Sequence, residues 1–325
     1  MTGASSTAAS SPPAEPRAWR LLRWFALAAI VTNVLIVATG GVVRVTGSGL
    51  GCIDWPTCDG TNIAPVPGGD HAGWQAAIEF GNRLLTFPVL AAAALTWWQV
   101  RRTRPHSATV VRLSWVLPLG VVAQALVGGV TVLTGLSPYT VAAHFLLSMV
   151  LIAAAVTLHE RVRPQPATPP PPRGVQHATT VIAIVAAVVL VLGTVVTGSG
   201  PHGGDVDAPR LGLDIRTMAL AHADAVWLLI GVTAATVAVT WRSGPPRMRS
   251  AVRSLLVLQL AQGGIGYLQY WLGIPPQLVS LHIVGAAVVW LATVMTWVRA
   301  RPRPVTPDTE PRVEPAEPIR APTPR

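Results

Sequence analysis

Three histidines within apolar segments are the side chains of this sequence best suited to chemistry. His144, His222 and His282 each lie about five residues inside a predicted helix, roughly 7 to 8 Å below its outer end at 1.5 Å per residue. Asn82 lies at the matching depth of a fourth helix. An imidazole inside a bilayer is costly unless it faces the helix bundle and finds a partner there. A single histidine can hydrogen-bond a neighbouring helix, but facing histidines can ligate a haem iron, and their recurrence at one depth favours haem.

One carboxylate accompanies this layer of polar residues. Glu79 precedes Asn82 by one helical turn, so both side chains can face the same cavity. There Glu79 can act as a general base or stabilise a developing cation. Alternatively, it forms a salt bridge with Arg83 or Arg44 at the membrane edge. The matching position in the second half of the chain is Ala219, and this asymmetry favours a functional role for the acid.

The predicted outer boundary of the membrane carries two arginines and both cysteines of the chain. Arg44 and Arg83 can bind the propionates of a haem in bidentate fashion, or they can simply extend to the interface. Cys52 and Cys58 lie in the first outer loop, where the oxidising face permits a structural or redox-active disulfide. A zinc site would need two further ligands, and no nearby pair has the spacing for it.

The composition indicates that membrane-spanning helices position these residues. The chain has 325 residues, of which 51% are hydrophobic and 12% charged, whereas soluble domains have roughly 25% charged residues. This predicts an all-α integral membrane protein with eight transmembrane helices, the first of them retained rather than cleaved as a signal peptide. The predicted spans lie near 21–43, 77–99, 111–133, 140–158, 178–197, 217–240, 251–272 and 279–298.

The charge distribution argues against nucleic acid as a partner and predicts the orientation of the helices. All 24 basic residues are arginine, and the formal net charge is +10. The arginines lie at the ends of apolar runs rather than on one continuous basic face. If the N-terminus is cytoplasmic, only Arg44, Arg83, Arg210 and Arg216 fall outside. The positive-inside rule therefore predicts a multi-pass plasma-membrane protein with both termini in the cytoplasm.

The two halves of the sequence resemble each other. The segment 45–49 recurs as 196–200, and the segment 135–144 recurs in outline as 273–282. At the second offset, Gln124 and Gly128 match Gln262 and Gly266. We therefore predict two four-helix-bundle repeats related by a pseudo-two-fold axis along the membrane normal.

Proline-rich segments suggest where these halves begin and end. We predict a cytoplasmic N-terminal segment, an N-terminal four-helix half, a Pro-rich cytoplasmic linker, a C-terminal four-helix half and a disordered Pro-rich cytoplasmic tail. Their bounds are 1–20, 21–160, 161–177, 178–299 and 300–325. His202 is expected to be exposed in an outer loop, and solvent or interface positions are expected for His71, His106, His159 and His177.

Together these residues resemble the heme A synthase family, over about 21–299. The signature segment is Gly40–Cys58, which includes Arg44 and the cysteine pair typical of many bacterial members. The segment Thr197–Asp205 matches it in the second half of the chain. The remaining matches are Glu79, His144, His222 and His282, which stand at the places where the family carries them.

The resemblance implies both a cofactor and a substrate. A b-type haem, with its iron, would be held by His222 and His282, and heme O would bind near Glu79 and His144. Family members commonly carry a second histidine at the position of Asn82, so this change leaves His144 as the only strong ligand of the substrate iron. The implied reaction oxidises a methyl group of heme O to the formyl group of heme A for terminal oxidase assembly. The implied partners are heme O synthase and terminal-oxidase assembly factors, with no oligomeric state implied.

Two other functions are compatible with parts of the pattern. A di-haem b-type membrane electron-transfer protein would use the histidines but gives no reason for the asymmetric Glu79. A haem or small-molecule transporter would account for internal repeats, but transporters usually interrupt helices near the midplane. Here the helices are predicted to be continuous.

Overall fold

The computed structural model describes residues 16–66, 73–105, 107–164 and 170–302. Over these residues it is an assembly of α-helices without strands, as predicted. The helices are α1 Arg17–Val45, α2 Gly73–Leu84, α3 Thr86–Thr103, α4 Ala108–Leu133, α5 Pro138–Val162, α6 Arg173–Ser199, α7 Ile215–Ser243, α8 Pro246–Trp271 and α9 Pro276–Arg299. Residues 1–15, 67–72, 106, part of the Pro-rich linker (165–169) and the tail beyond 302 lie outside the described residues, and His71 and His106 are among them.

The second predicted span is a broken helix, so the expectation of a continuous helix over 77–99 is wrong. α2 ends at Leu84 and α3 begins at Thr86. The cause is Pro88, which has no N–H to donate to the Leu84 carbonyl and whose ring crowds that carbonyl. The combined unit 73–103 is nevertheless long and apolar enough to cross a membrane.

Seven helical units of the described chain, counting α2 and α3 as one, are long and apolar enough to span a membrane. The seventh predicted span, 251–272, corresponds to α8, which is long enough but does not reach the same hydropathy. Its apolar stretch is interrupted by Gln259, Gln262 and Gln269. The predicted start of the fifth span is also too late, since α6 begins at Arg173, directly after Pro172.

The helices pack in two closed rings. In the first half, α1 and α4 each pack against both α3 and α5. In the second half, α6 and α8 each pack against both α7 and α9. α9 also packs against α1 and α5, and the main hydrophobic core continues across this contact through Ala287, Val294 and Val298. The small side chains at this interface let the helix backbones approach closely, as in other membrane bundles.

Two matching turns set the ends of the histidine-bearing helices. Between α4 and α5, Gly135 and Leu136 adopt left-handed conformations, and between α8 and α9, Gly273 and Ile274 do the same. The Leu136 N–H donates to the Thr131 carbonyl at 2.8 Å. The Ile274 N–H donates to the carbonyl of Gln269, the counterpart of Thr131, at the same distance. This six-residue closure satisfies a carbonyl at the helix end. Because α5 and α9 then both begin at a proline, His144 and His282 lie equally far into their helices.

A buried ion pair joins the two halves at the opposite end of the bundle. Glu160 on α5 is 1% exposed and accepts hydrogen bonds from Arg299 on α9 at 2.9 and 3.0 Å. Arg163, which is largely solvated, contacts the same carboxylate at 3.2 Å.

Because removing one partner of a buried pair leaves the other charge uncompensated, Glu160→Ala should lower the free energy of unfolding by about 3 kcal/mol. The matched control is Arg163→Ala, which removes the solvated partner and should cost less than about 1 kcal/mol. Thermal unfolding in detergent measures both, and equal losses would contradict a role for Glu160 as the link between α5 and α9.

Candidate functional site

A single cavity of about 680 Å³ connects the predicted site residues of both halves. It lies within the size range of small-molecule and cofactor sites. The predicted residues that line it are Arg44, Glu79, Asn82, Arg83, His144, His222 and His282. Polar groups from one depth of four helices thus line one cavity.

The geometry of His222 and His282 fits the two axial ligands of a haem. Their ring centroids lie 6.5 Å apart, on α7 and α9. Two metal–imidazole bonds of about 2.0–2.1 Å, plus roughly 1 Å from each bonded nitrogen to its ring centre, give about 6 to 6.5 Å. Within the described residues no group of three or more His, Cys, Asp or Glu side chains is arranged to hold a metal ion. A porphyrin would supply the remaining ligands that the protein does not.

A neighbouring glutamine contacts the ring of His282 but not that of His222. The side-chain amide of Gln262 on α8 contacts Nδ1 of His282 at 3.0 Å and its backbone carbonyl at 2.8 Å. Nδ1 of His222, like that of His144, is buried without a hydrogen-bond partner in the described chain. The Gln262 contact orients the His282 ring. For Nε2 of that ring to ligate a metal, Nδ1 must carry the proton, and the amide oxygen of Gln262 rather than its nitrogen would face Nδ1.

His144 has a similar setting but lacks the contact to its ring. Gln124 donates to the His144 carbonyl at 3.0 Å, as Gln262 does to that of His282. However, the Gln124 amide also donates to Ser148 rather than to the imidazole. Within the described chain, Nδ1 of His144 is buried without a hydrogen-bond partner. His144 is therefore less constrained than His282, whereas its unpartnered Nδ1 is shared with His222.

Glycines of the preceding helix allow the imidazoles to pack closely. A Cβ atom on Gly128 would lie 3.1 Å from Cε1 of His144, and one on Gly266 would lie 3.1 Å from Cε1 of His282. Gly193 has the same relation to His222, at 3.3 Å. The matched glycines and glutamines are a signal that the repeat analysis contained but did not assign to the histidines.

Asn82 replaces the fourth imidazole of this layer. Its Oδ1 accepts a hydrogen bond of 2.6 Å from the Thr39 hydroxyl on α1. The side chain thus lies at the wall of the cavity with its oxygen engaged by a neighbouring helix.

Glu79 is 5% exposed and connects the cavity to the loop between α1 and α2. One carboxylate oxygen accepts the Cys52 backbone N–H at 2.7 Å. The other accepts two bonds from the Arg83 guanidinium, at 2.7 and 3.2 Å. The salt-bridge alternative considered from the sequence is therefore present, with Arg83 as the partner, while the carboxyl group still lines the cavity.

Arg83 fixes the loop rather than presenting free donors to a ligand. Besides Glu79, its guanidinium donates to the carbonyl oxygens of Cys52 at 3.2 Å and of Asp54 and Thr57 at 3.0 Å each. The five contacts occupy all five N–H donors of an arginine. A haem propionate would have to displace one of these bonds, which makes Arg83 a poor propionate ligand.

The predicted disulfide between Cys52 and Cys58 is present in this loop, and both residues are buried. Hydrogen bonds from Asn62 and Thr61 hold the pKa of Asp59 well below its usual value, and a bond from the Thr57 hydroxyl lowers the pKa of Asp54. These carboxylates therefore support the loop at neutral pH, and the support is lost as the pH falls below the usual aspartate pKa of about 3.9.

Arg44 has donors to spare and lies near a second cation that sequence analysis did not assign to the site. Its guanidinium donates to the Thr197 carbonyl at 2.7 Å, while Nε is buried without a partner in the described chain. Arg210, from the loop between α6 and α7, lines the same cavity and is close enough to repel Arg44 electrostatically. The two positive charges favour an anionic group at this end of the cavity.

His202 does not belong to the cavity lining, and the expectation that it is exposed is wrong. It is half-buried, and its Nε2 lies 2.9 Å from the carbonyl of Ile274 in the turn between α8 and α9. It thus joins two outer loops of the C-terminal half.

Comparisons with known proteins agree with this arrangement. The sequence profile of the cytochrome oxidase assembly protein family COX15-CtaA matches residues 23–202, more than half of the chain. The chain belongs to this family. The matched segment includes Glu79, the disulfide loop and His144, and it ends before His222 and His282.

Several curated relatives are heme A synthases. That of Lysinibacillus sphaericus is 37% identical over 141 residues, which are 43% of this chain and 44% of the relative. That of a Methylobacterium species is 35% identical over 158 residues, 46% of this chain and 43% of the relative. That of Geobacillus kaustophilus is 31% identical over 144 residues, 43% of each chain. The matches thus span less than half the length of these relatives.

Within this member of the family, Arg83→Gln should loosen the disulfide loop. A hydrogen bond from a charged group contributes about 1.5–3 kcal/mol, and about 1.4 kcal/mol corresponds to a factor of ten. Reduction of the buried disulfide by an excess of dithiothreitol, followed by mass spectrometry, should therefore be about tenfold faster or more. The control, Arg44→Gln, changes a cavity arginine that does not contact the loop and should leave the rate unchanged. Equal rates of disulfide reduction in the two variants would show that Arg83 does not hold the loop in place.

Proposed function

We propose that this chain is a heme A synthase, which oxidises a methyl group of heme O to the formyl group of heme A. The observation that carries the proposal is the joining of two unlike histidine sites by one cavity, in whose described lining Glu79, on the N-terminal side, is the only carboxylate. The family membership and the named relatives support it. A symmetric pair of electron-transfer haems would leave Glu79 its contacts to the loop but no part in chemistry.

The C-terminal half would hold the resident cofactor. His222 and His282 would ligate the iron of a b-type haem, and Gln262 would keep His282 in its orientation. The bound haem supplies one-electron redox chemistry. The contribution of the protein is to fix both imidazoles on helices of a packed ring, so that the cofactor is retained during turnover.

The N-terminal half would hold the substrate. His144, whose Nδ1 has no partner in the described chain, would contact the iron of heme O, with Asn82 on the facing wall. Arg44 and Arg210 would bind propionates, which are anionic and belong at the polar end of the cavity. Arg83 would act indirectly, because it holds Glu79 and the loop.

Glu79 would manage protons at the reacting methyl group. With water as the source of oxygen and an external electron acceptor, the methyl would lose two electrons and two protons to give a hydroxymethyl group. A second loss of two electrons and two protons would give a hydrated aldehyde, which loses water to give the formyl group. The carboxylate can accept a proton or stabilise positive charge on the substrate carbon. Its two oxygens are held by Cys52 and Arg83, so the group is fixed in place before the substrate binds.

The topology proposed with this function is two four-helix repeats in the plasma membrane, with both termini in the cytoplasm. The site would then lie toward the outer face, where the loop disulfide is stable. Heme O synthase and terminal-oxidase assembly factors are the proposed partners.

Replacing either C-terminal histidine tests the assignment of the cofactor site. His222→Ala or His282→Ala should remove most of the resident b-type haem from the purified protein, because each supplies one of two axial bonds. His144→Ala is the matched control and should spare most of it. The reduced-haem absorption spectrum measures all three, and equal losses would show that the division into cofactor and substrate halves is wrong.

Glu79→Gln tests the role of the carboxylate. Glutamine keeps the volume of the side chain and can still accept the Cys52 N–H, but it cannot take up a proton. The rate of methyl oxidation should fall by about 10² to 10⁴, and heme O or its hydroxylated product should accumulate, with the resident haem retained. Chromatography of extracted haems measures this.

The control for Glu79→Gln is Arg83→Gln, which breaks the ion pair but keeps the carboxylate. If Glu79 only anchors the loop, both variants should lose activity to the same extent. A much larger loss in Glu79→Gln supports proton chemistry, and normal heme A formation in that variant would remove Glu79 from the mechanism.

A further inference from the structure

The two halves differ in how the second and third helices of each ring are joined near the outer face. In the C-terminal half, Nε1 of Trp227 on α7 donates to the Tyr267 hydroxyl on α8 at 2.8 Å. Phe87 of the N-terminal half corresponds to Trp227, by the same offset that relates Asn82 to His222. Gly129 corresponds to Tyr267, by the same offset that relates Gln124 to Gln262. Phenylalanine and glycine have no side-chain polar atoms with which to form this bridge, so it is missing from the N-terminal half.

The break between α2 and α3 is a second difference between the two halves. No Cα atoms of α2 and α4 come within 8 Å of each other in the described chain, whereas α2 does approach α1 and α3. α2 ends at Leu84, because Pro88 cannot donate to the Leu84 carbonyl. The residue of the C-terminal half that matches Pro88 is Leu228, and there α7 continues without interruption. The outer part of the second helix is therefore separated from its neighbour α4 in the N-terminal half.

Apolar residues around the separation line the cavity and are exposed at the same time. Leu84 is 45% exposed, Phe87 is 68% exposed and Ile63 is 74% exposed, yet all three line the cavity that contains His144. Residues that are exposed and also line the cavity form its thin outer wall, so this is the side on which an opening would lie. By contrast, Trp227 and Tyr267 are exposed but do not belong to the described lining.

The upper edge of the opening is formed by the disulfide loop rather than by a helix. The indole of Trp55 lies directly against Gly129 on α4, where a Cβ atom would overlap it. Trp55 lies between Cys52 and Cys58, in the loop that Arg83 clamps. The opening is thus bounded by α2, α4 and this loop, and its side walls are apolar.

We propose that the gap between α2 and α4 is a lateral portal to the outer leaflet, which holds the isoprenoid chain of heme O while the porphyrin lies at His144. This inference rests on the proposed function. Heme O is amphiphilic: its propionates are anionic, and its long hydrocarbon chain is poorly soluble in water. Arg44 and Arg210 provide for the anionic end, and an apolar gap that faces lipid lets the chain remain in a hydrocarbon environment.

The portal explains why the two sites handle haem differently. A resident cofactor should be enclosed, and the Trp227–Tyr267 bridge closes its ring on the side of the lipid. A substrate must enter, and its product, which keeps the same hydrocarbon chain, must leave without dragging that chain through water. Lateral exchange through the N-terminal half satisfies both requirements within one cavity.

The test compares the accessibility of a thiol at the portal with that of a thiol at the matching position of the closed half. Phe87→Cys and Trp227→Cys are each prepared as the full chain in detergent, and both native cysteines are protected by their disulfide. Retention of the b-type haem spectrum confirms that each variant is folded. The rate of alkylation by N-ethylmaleimide is then measured alone, with heme O, and with heme B, which lacks the isoprenoid chain. Binding of each added haem is followed by its Soret absorption.

Heme O should slow alkylation of Phe87→Cys by about fivefold or more, since the chain would cover the thiol, whereas heme B should slow it much less. Alkylation of Trp227→Cys should not respond to either haem. If heme O binds but leaves Phe87→Cys unprotected, or protects both variants equally, or protects no better than heme B, the portal is wrong while the proposed function stands. If heme O does not bind even to the parent protein, the proposed function fails and the portal with it.

Discussion

A polar side chain within an apolar helix bundle must find its partner inside the bundle, because lipid offers none. The structure meets this requirement by gathering its histidines, Glu79 and Arg44 around one cavity. The surrounding architecture follows from it. Glycines on the preceding helices make room for the imidazoles, glutamines hold the backbone beside them, and matching turns place His144 and His282 equally far into their helices.

The function of each half depends on the residues at which the two halves differ. The C-terminal half keeps a ring contact from Gln262 to His282 and a closing bridge from Trp227, so it is suited to retain a cofactor. The N-terminal half has Ser148 competing for Gln124, and a broken second helix. Those differences loosen the site around His144. They are what a site needs if its ligand is to enter, react and leave.

Sequence patterns predicted the helices, the depth of the polar layer and the disulfide, because apolar run length and repeat offsets are local and periodic. The break at Pro88 was also visible in the sequence, but the length of the apolar run concealed it. The role of Arg83 could not be predicted, because it depends on the path of an irregular loop whose carbonyl oxygens converge on one guanidinium. Arg210 was assigned only to an outer loop, since nothing in its spacing relates it to Arg44.

The central claim is that the chain converts heme O into heme A. The most direct measurement is the haem content of a host that makes heme O but lacks heme A, with and without expression of this chain. The account predicts that heme A appears and heme O declines only when the chain is present. If the purified protein carries b-type haem in its C-terminal half, yet the cells still contain heme O and no heme A, the claim is contradicted and the chain is an electron-transfer protein.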